Sequence, residues 1–305
     1  RRGYSSQISC KECGEVISCP RCSVSLTYHS NSSGGKLLCH LCGYTEPPRK
    51  TCPSCSSDKL SFLGFGTQKL EGELEKYLPD MQVMRMDADT TGTKLAYDRM
   101  LKDFRDGRAD ILVGTQMITK GFDFGAVSVV GVLNADNLLN FPDFRSSERA
   151  FQLMTQVAGR AGRREREGVV VIQTSEVDNP VIGWVLRGDY EAMARSELAE
   201  RYAFGYPPYS RLIRLALRAE DMQILRQCAV RLTDGLRRRF GGRVVGPVTP
   251  PIDRIRGQYI VHILLKIENG RSMARARELL RQELDEVGRE GQYNHVSIAI
   301  DVDIQ

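Results

Sequence analysis

The chain has 305 residues, of which 41% are hydrophobic without counting glycine, 27% charged and 7% aromatic, with a net charge of +5 and a pI near 8.7. That length calls for two or three domains of about 100–200 residues each. The composition excludes wholesale disorder, no apolar run approaches the ~18 residues of a membrane span, and no secretory signal opens the chain. The mild positive charge permits a nucleic-acid partner without demanding one. The sequence opens on Arg1-Arg2 rather than an initiator Met and reads as a piece of a longer protein.

Eight of the nine cysteines crowd into positions 10–55, in four C-x-x-C pairs: Cys10/Cys13, Cys19/Cys22, Cys39/Cys42 and Cys52/Cys55. A two-residue gap lets one turn present two thiolates to a tetrahedral ion, and Zn²⁺ takes four such ligands at about 2.3 Å. Eight thiolates therefore make two closed structural sites. A disulfide framework is disfavoured without a secretory context, and iron–sulfur ligation by the even pair spacing. Cys22 and Cys39 bracket 16 residues, the spacing of a zinc ribbon, whereas only five residues separate Cys13 from Cys19. The nested pairing is favoured: Cys19, Cys22, Cys39 and Cys42 on one ion, Cys10, Cys13, Cys52 and Cys55 on the other. His29 and His40 read as surface residues, and Cys228 as a buried thiol in a helix.

Residues 1–60 form this zinc segment, which holds too little apolar bulk to fold without metal. Residues 61–189 alternate helix and strand. TQKLEGELEKYLP is a helix stopped by Pro79, QVMRMDAD a strand, and LAYDRMLKDFRDG a helix capped by Gly107. ADILVGT, SVVGVLNAD and GVVVIQTS are apolar runs too continuous for one wet face, as in a buried parallel sheet. SSERAFQLMTQVAGRAG is a helix with Ser146 or Ser147 as N-cap. A new rhythm runs over 190–305: a helix, the breaker YAFGYPPY, then strand–helix–strand twice, the split βαβ plan of a ferredoxin-like sheet.

Two stretches carry chemistry. GTQMITKGFDF (114–124) follows the strand ILV, and QVAGRAGR (156–163) ends a helix with two arginines three residues apart among glycines. Arginine forks meet phosphate oxygens bidentately, and the glycines leave room for the phosphate to approach. Together these stretches resemble motifs V and VI of superfamily 2 helicases. With RRGYSSQISCKECG…SCPRC, LGFGTQKLEGELEKYLP, DFRSSERAFQLMTQVAGRAGR and the closing IDVD, the whole chain resembles the PriA family of primosomal replication-restart helicases, in its carboxyl-terminal half.

The resemblance implies an α/β fold: a RecA-like second helicase lobe (61–189) with the two-zinc subdomain (1–60) inserted in it, followed by an α+β domain (190–305) for DNA and partners. It implies a 3′-to-5′ DNA helicase that uses ATP and Mg²⁺, binds forked and single-stranded DNA, and loads the primosome in the bacterial cytoplasm, with no membrane partner. Arg160 and Arg163 match the motif VI arginines that reach the γ-phosphate, and Gln156 the position that couples nucleotide to DNA. Gly121 and Asp123 match the nucleotide-facing part of motif V, with Thr115 and Lys120 facing the DNA backbone. Asp143, Arg145, Glu148 and Arg149 lie in a characteristic stretch that reads equally well as an ion-paired helix start. In the last domain, with 19 basic and 15 acidic side chains, Arg254 and Arg256 are assigned to DNA. Arg271 and Arg275 are assigned to the acidic tail of the single-stranded-DNA-binding protein.

No G-x-x-x-x-G-K-[ST] loop occurs: Gly34-Gly35-Lys36 is followed by Leu37, and no DEAD-like quartet is present. Both belong to a first lobe that the family carries upstream, so this polypeptide is expected not to hydrolyse ATP alone. The competing reading is a non-enzymatic fork-binding and assembly scaffold of helicase ancestry. The retained arginine pair favours the motor, since a scaffold has no use for a γ-phosphate contact.

Overall fold

A computed structural model describes residues 5, 7–30, 34–64, 66–115, 118, 127–159, 161 and 168–304. The chain divides into two compact units, one of 65–203 and the other joining 3–64 with 204–305. The zinc segment, expected as an insertion in the middle domain, thus packs with the carboxyl-terminal residues. The reason is a loop at 253–257 that hydrogen-bonds to it, described below.

In the first unit, helix α1 (Thr67–Tyr77) packs on the parallel pair β6 (Val83–Met86) and β7 (Ile111–Gly114), with α2 (Lys94–Arg105) between the strands in sequence. Thr93 caps α2 through its side chain, which accepts from Ala96 N. A second parallel pair is β8 (Val129–Val132) with β9 (Val169–Ile172). Its inner residues Val132 and Ile172 pack against Ala150, Phe151 and Met154 of α4 (Ser146–Ala158) and Val181 and Ile182 of α5 (Pro180–Arg187). A short helix, α3 (Asp136–Leu139), adds Leu139 to this core, and α6 (Tyr190–Phe204) adds Met193.

Two expectations are corrected here. Val129, Val169 and Val171 are more than half exposed, so β8–β9 is apolar on both faces but covered on one, its helices contributing a single layer. And neither Ser146 nor Ser147 is the N-cap of α4. That position is Arg145, without a side-chain cap, while the Asp143 carboxylate accepts from Arg145 N at 2.9 Å.

In the second unit, the strands β10 (Ser210–Ala219), β11 (Val244–Val248), β13 (Gln258–Glu268) and β14 (Ser297–Val302) stand in the order β11-β13-β10-β14, all antiparallel, with β12 (Arg254–Ile255) paired to β13. Alternation decides which face is buried: Ile213, Leu215 and Leu217 of β10 and Val261, Ile263 and Leu265 of β13 point to one side. There they meet Leu225, Leu232 and Leu236 of α7 (Met222–Phe240) and Ala276 and Leu280 of α8 (Met273–Gly288). Asp221 and Ser272 cap the two helices by accepting from backbone N–H groups of the first turn. Cys228 is fully buried in this core, as read from its helical run.

Gly235 of α7 lies where an added Cβ would fall 1.6 Å from the Glu283 carboxylate of α8, so glycine alone lets that carboxylate reach between the helices. There Glu283 accepts from Arg231 at 2.8 Å and from Arg239 at 2.7 Å. The zinc segment adds β1 (Gln7–Cys10) paired antiparallel to β5 (Leu60–Leu63), and the three-stranded sheet β2 (Thr27–His29), β3 (Lys36–Leu38) and β4 (Thr45–Glu46). Among the described residues, no helix is long and apolar enough to cross a membrane.

Candidate metal centres

Each C-x-x-C pair sits on a tight turn. Gly14 N donates to Cys10 O at 3.0 Å, Gly43 N to Cys39 O at 2.9 Å and Ser56 N to Cys52 O at 3.0 Å, closing three of the four turns alike. The closing residue is left-handed in all three, with φ of +76° at Gly14, +79° at Gly43 and +59° at Ser56. Glycine fits this without penalty, which is why two of the pairs run C-x-x-C-G. The turn at Cys19 differs. Ser23 N donates instead to Arg254 O at 2.9 Å, and Gly257 N to Arg21 O at 2.7 Å. The 253–257 loop therefore completes this turn from more than two hundred residues away.

The turns bring the thiols together in two sets, Cys10, Cys13, Cys52 and Cys55 in one and Cys19, Cys22, Cys39 and Cys42 in the other, with all sulfurs of a set within 4.8 Å of one another. This is the nested pairing read from the spacings. Sulfur pairs lie 3.5 Å apart at Cys10–Cys55, 3.6 Å at Cys13–Cys52 and 3.7 Å at Cys19–Cys42. Corners of a tetrahedron with 2.3 Å zinc–sulfur bonds are about 3.8 Å apart, so the donor sets fit Zn²⁺. Backbone N–H groups point at the sulfurs as thiolates require: Arg21 N at Cys19, Ser54 N at Cys52 and Arg256 N at Cys22, at 3.4, 3.4 and 3.3 Å.

Without a cation the sets resist full ionisation. In the outer set, the Cys13 N–H and neighbouring donors pull Cys10 down to about 7. Cys55 is pushed up to about 12, because the surrounding thiols Cys13 and Cys10 outweigh the Ser57 N–H. In the inner set, burial pushes Cys19 up to about 12, while Cys42 falls to about 7 as the Tyr44 N–H and its neighbours overcome burial. Four thiolates need a dication at the centre of each set. The inner set is buried except for half-buried Cys42, whereas Cys13 and Cys55 of the outer set are exposed.

The remaining candidate residues are distributed as follows. Thr115 follows β7 and is half-buried, its carbonyl accepting from Ile118 N at 3.1 Å. Gln156 is half-buried in the last turn of α4. Lys120, Gly121, Asp123, Arg160 and Arg163 lie outside the described residues. Asp143 pairs with Arg145 at 3.2 Å and Arg149 at 3.0 Å, and Glu148 with Arg201 at 2.6 Å, so that stretch is an ion-paired helix start. Arg254 turns its guanidinium to Pro20 O at 3.0 Å and over the Tyr259 ring, whereas the Arg256 side chain is exposed. Arg271 and Arg275 flank a cavity of about 300 Å³ floored by Phe240, Ile267 and Leu279, and Arg275 also pairs with Glu278 at 2.7 Å. The sequence offered no sign of the 253–257 loop's role, since it acts through backbone groups.

The PriA DNA helicase Cys-rich region model matches residues 19–47, the helicase conserved C-terminal domain 41–165, and the primosomal protein N C-terminal domain 202–305. Replication restart protein PriA of Bacillus subtilis is 43% identical over 304 residues, 99% of this chain and 37% of the relative. The chain belongs to the PriA family. The PriA of Treponema pallidum is 37% identical over 94% of this chain and 43% of the relative, and that of Haemophilus influenzae 34% over 100% and 41%. The chain thus spans about two fifths of the length of these PriA relatives. The stretch that matches the PriA Cys-rich region holds all four thiols of the inner zinc-binding cluster, and the outer cluster is built from the cysteine pairs on either side of it.

Proposed function

We propose that this chain is the carboxyl-terminal half of an ATP-dependent 3′-to-5′ DNA helicase that binds stalled or branched replication forks and directs primosome assembly for replication restart. The observation that carries the reading is the joint match, along one chain, of a helicase C-terminal domain and a PriA Cys-rich region, in a chain that gathers eight thiols into two four-thiol centres. Residues 61–189 act as the second RecA-like lobe, a role supported by the parallel pairs β6–β7 and β8–β9 and their helices. Arg160 and Arg163 neutralise the γ-phosphate as arginine fingers do, Gly121 and Asp123 face the nucleotide, and Gln156 relays its state. Thr115 and Lys120 hold the DNA backbone. ATP and Mg²⁺ need the nucleotide-binding first lobe of the longer protein, so the chain alone is inactive. Its place is the bacterial cytoplasm, on the nucleoid.

Residues 1–60 serve as the zinc subdomain, and residues 190–305 bind DNA and partners. The antiparallel order β11-β13-β10-β14, with α7 and α8 on one face, supports a ferredoxin-like split βαβ plan for that domain. Arg256 offers its exposed guanidinium to phosphate, with Arg254 beside it as the weaker contact. The cavity beside Arg271 and Arg275, apolar in its floor and basic at its rim, suits an acidic peptide with an apolar side chain such as the tail of the single-stranded-DNA-binding protein. The test is unwinding of a forked duplex by the full-length protein. Arg160→Ala and Arg163→Ala should abolish it while fork binding stays within about twofold. No unwinding by the wild type would leave the scaffold reading in its place.

A further inference from the structure

The zinc segment holds a second kind of metal-ligating geometry that its eight thiols do not use. His29, at the end of β2, and His40, between Cys39 and Cys42, turn their rings together so that the two Nε2 atoms lie 3.1 Å apart. The ring centroids are 5.1 Å apart and the ring planes are 61° to one another. The imidazole nitrogens therefore face each other, and the rings are not stacked. Two imidazoles bound cis to one ion at 2.0–2.1 Å, with an angle near 100° at the metal, place their nitrogens about 3.2 Å and their ring centres about 5 Å apart. Both separations match. His40 is exposed and His29 half-exposed, so an ion has a path from solvent, and neither His belongs to either four-thiol set.

We infer that His29 and His40 form a two-imidazole chelate for a third transition-metal dication. Imidazole suits Cu²⁺, Ni²⁺ and Zn²⁺ in preference to Mg²⁺ or Ca²⁺. With two ligands from the protein, the remaining positions belong to water, so the ion is exchangeable, unlike the two enclosed by four thiolates. It is also open to a ligand from outside the chain. The site lies on the sheet that carries Cys39 and Cys42, so a metal there ties β2 to the second turn of the inner centre.

The test uses the intact chain already holding two zinc ions. Titrated with Ni²⁺, which thiolates do not reduce and which ranks below Cu²⁺ in affinity, it should take up one equivalent beyond the two zinc ions. His29→Gln and His40→Gln should each weaken that uptake by roughly a hundredfold, while His262→Gln and His295→Gln leave it unchanged. Zinc content should stay at two in all four variants. Uptake equal in wild type and His29→Gln overturns the inference, and leaves the pair as an N–H···N hydrogen bond. Should a variant lose structural zinc, the wild type decides: no Ni²⁺ taken up beyond the two zinc ions overturns it equally.

Discussion

Glu283 is 1% exposed, yet it stays charged. Burial pushes its pKa up, but the hydrogen bonds from Arg239 and Arg231 outweigh burial and hold it below the usual carboxylate range. A carboxylate whose folded pKa is depressed lends stability that is present above its unfolded pKa of about 4.3 and is lost as pH falls through the folded value. Denaturant melts should therefore show the wild type weakening below about pH 4.5, with Glu283→Gln losing part of that slope. At neutral pH the same variant should cost about 3 kcal/mol, the scale of removing one partner from a buried ion pair. Gly235→Ala, which drives a methyl group into this carboxylate, should cost at least as much. If Gly235→Ala melted with the wild type, the close packing of α7 on α8 would be refuted. Among the metal turns, Gly43→Ala forces alanine to a left-handed φ and should cost about 1–2 kcal/mol.

At the scale of elements, the zinc segment was largely legible in the sequence. The 16-residue and five-residue spacings alone selected the nested pairing that the two thiol sets display. The strands and helices of 190–305 were legible for a similar reason, since a sheet wet on one face and a helix wet on one side each leave a period in the sequence. The apolar runs of β8 and β9 misled on burial, because apolarity on both faces does not say how many layers cover them. The 253–257 loop could not be read at all, because backbone donors have no residue signature. Arg256 is left-handed at φ +55° and gives its N–H to Cys22, so this role separates by substitution from its proposed contact with DNA. Arg256→Gly keeps the backbone donor and should retain two zinc ions while lowering DNA affinity and its salt slope by nearly one contact. Arg256→Pro removes the donor and should loosen the inner ion. The exposed outer set should yield its zinc to a chelator first, in a two-step release. Both sets should bind zinc more weakly as pH falls below about 7, since thiols near that value must lose a proton to coordinate.

At the scale of the whole molecule, the residues proposed for the motor stand out in the sequence as two motifs, and five of them, Lys120, Gly121, Asp123, Arg160 and Arg163, lie outside the described residues. On the proposed reading the chain brings to a motor the arginines Arg160 and Arg163, which follow α4 in the sequence, and the start of that helix is braced by the ion pairs of Asp143 with Arg145 and Arg149. Such arginines stabilise charge on a transferring phosphoryl group and are worth about 10³-fold or more in turnover. The measurement that tests this most directly is ATP turnover by the full-length protein with forked DNA, wild type against Arg163→Ala. The account predicts DNA-stimulated turnover in the wild type and a fall of about 10³-fold in the variant, with fork binding retained. Turnover in the variant within about twofold of the wild type, or none in the wild type, would contradict it.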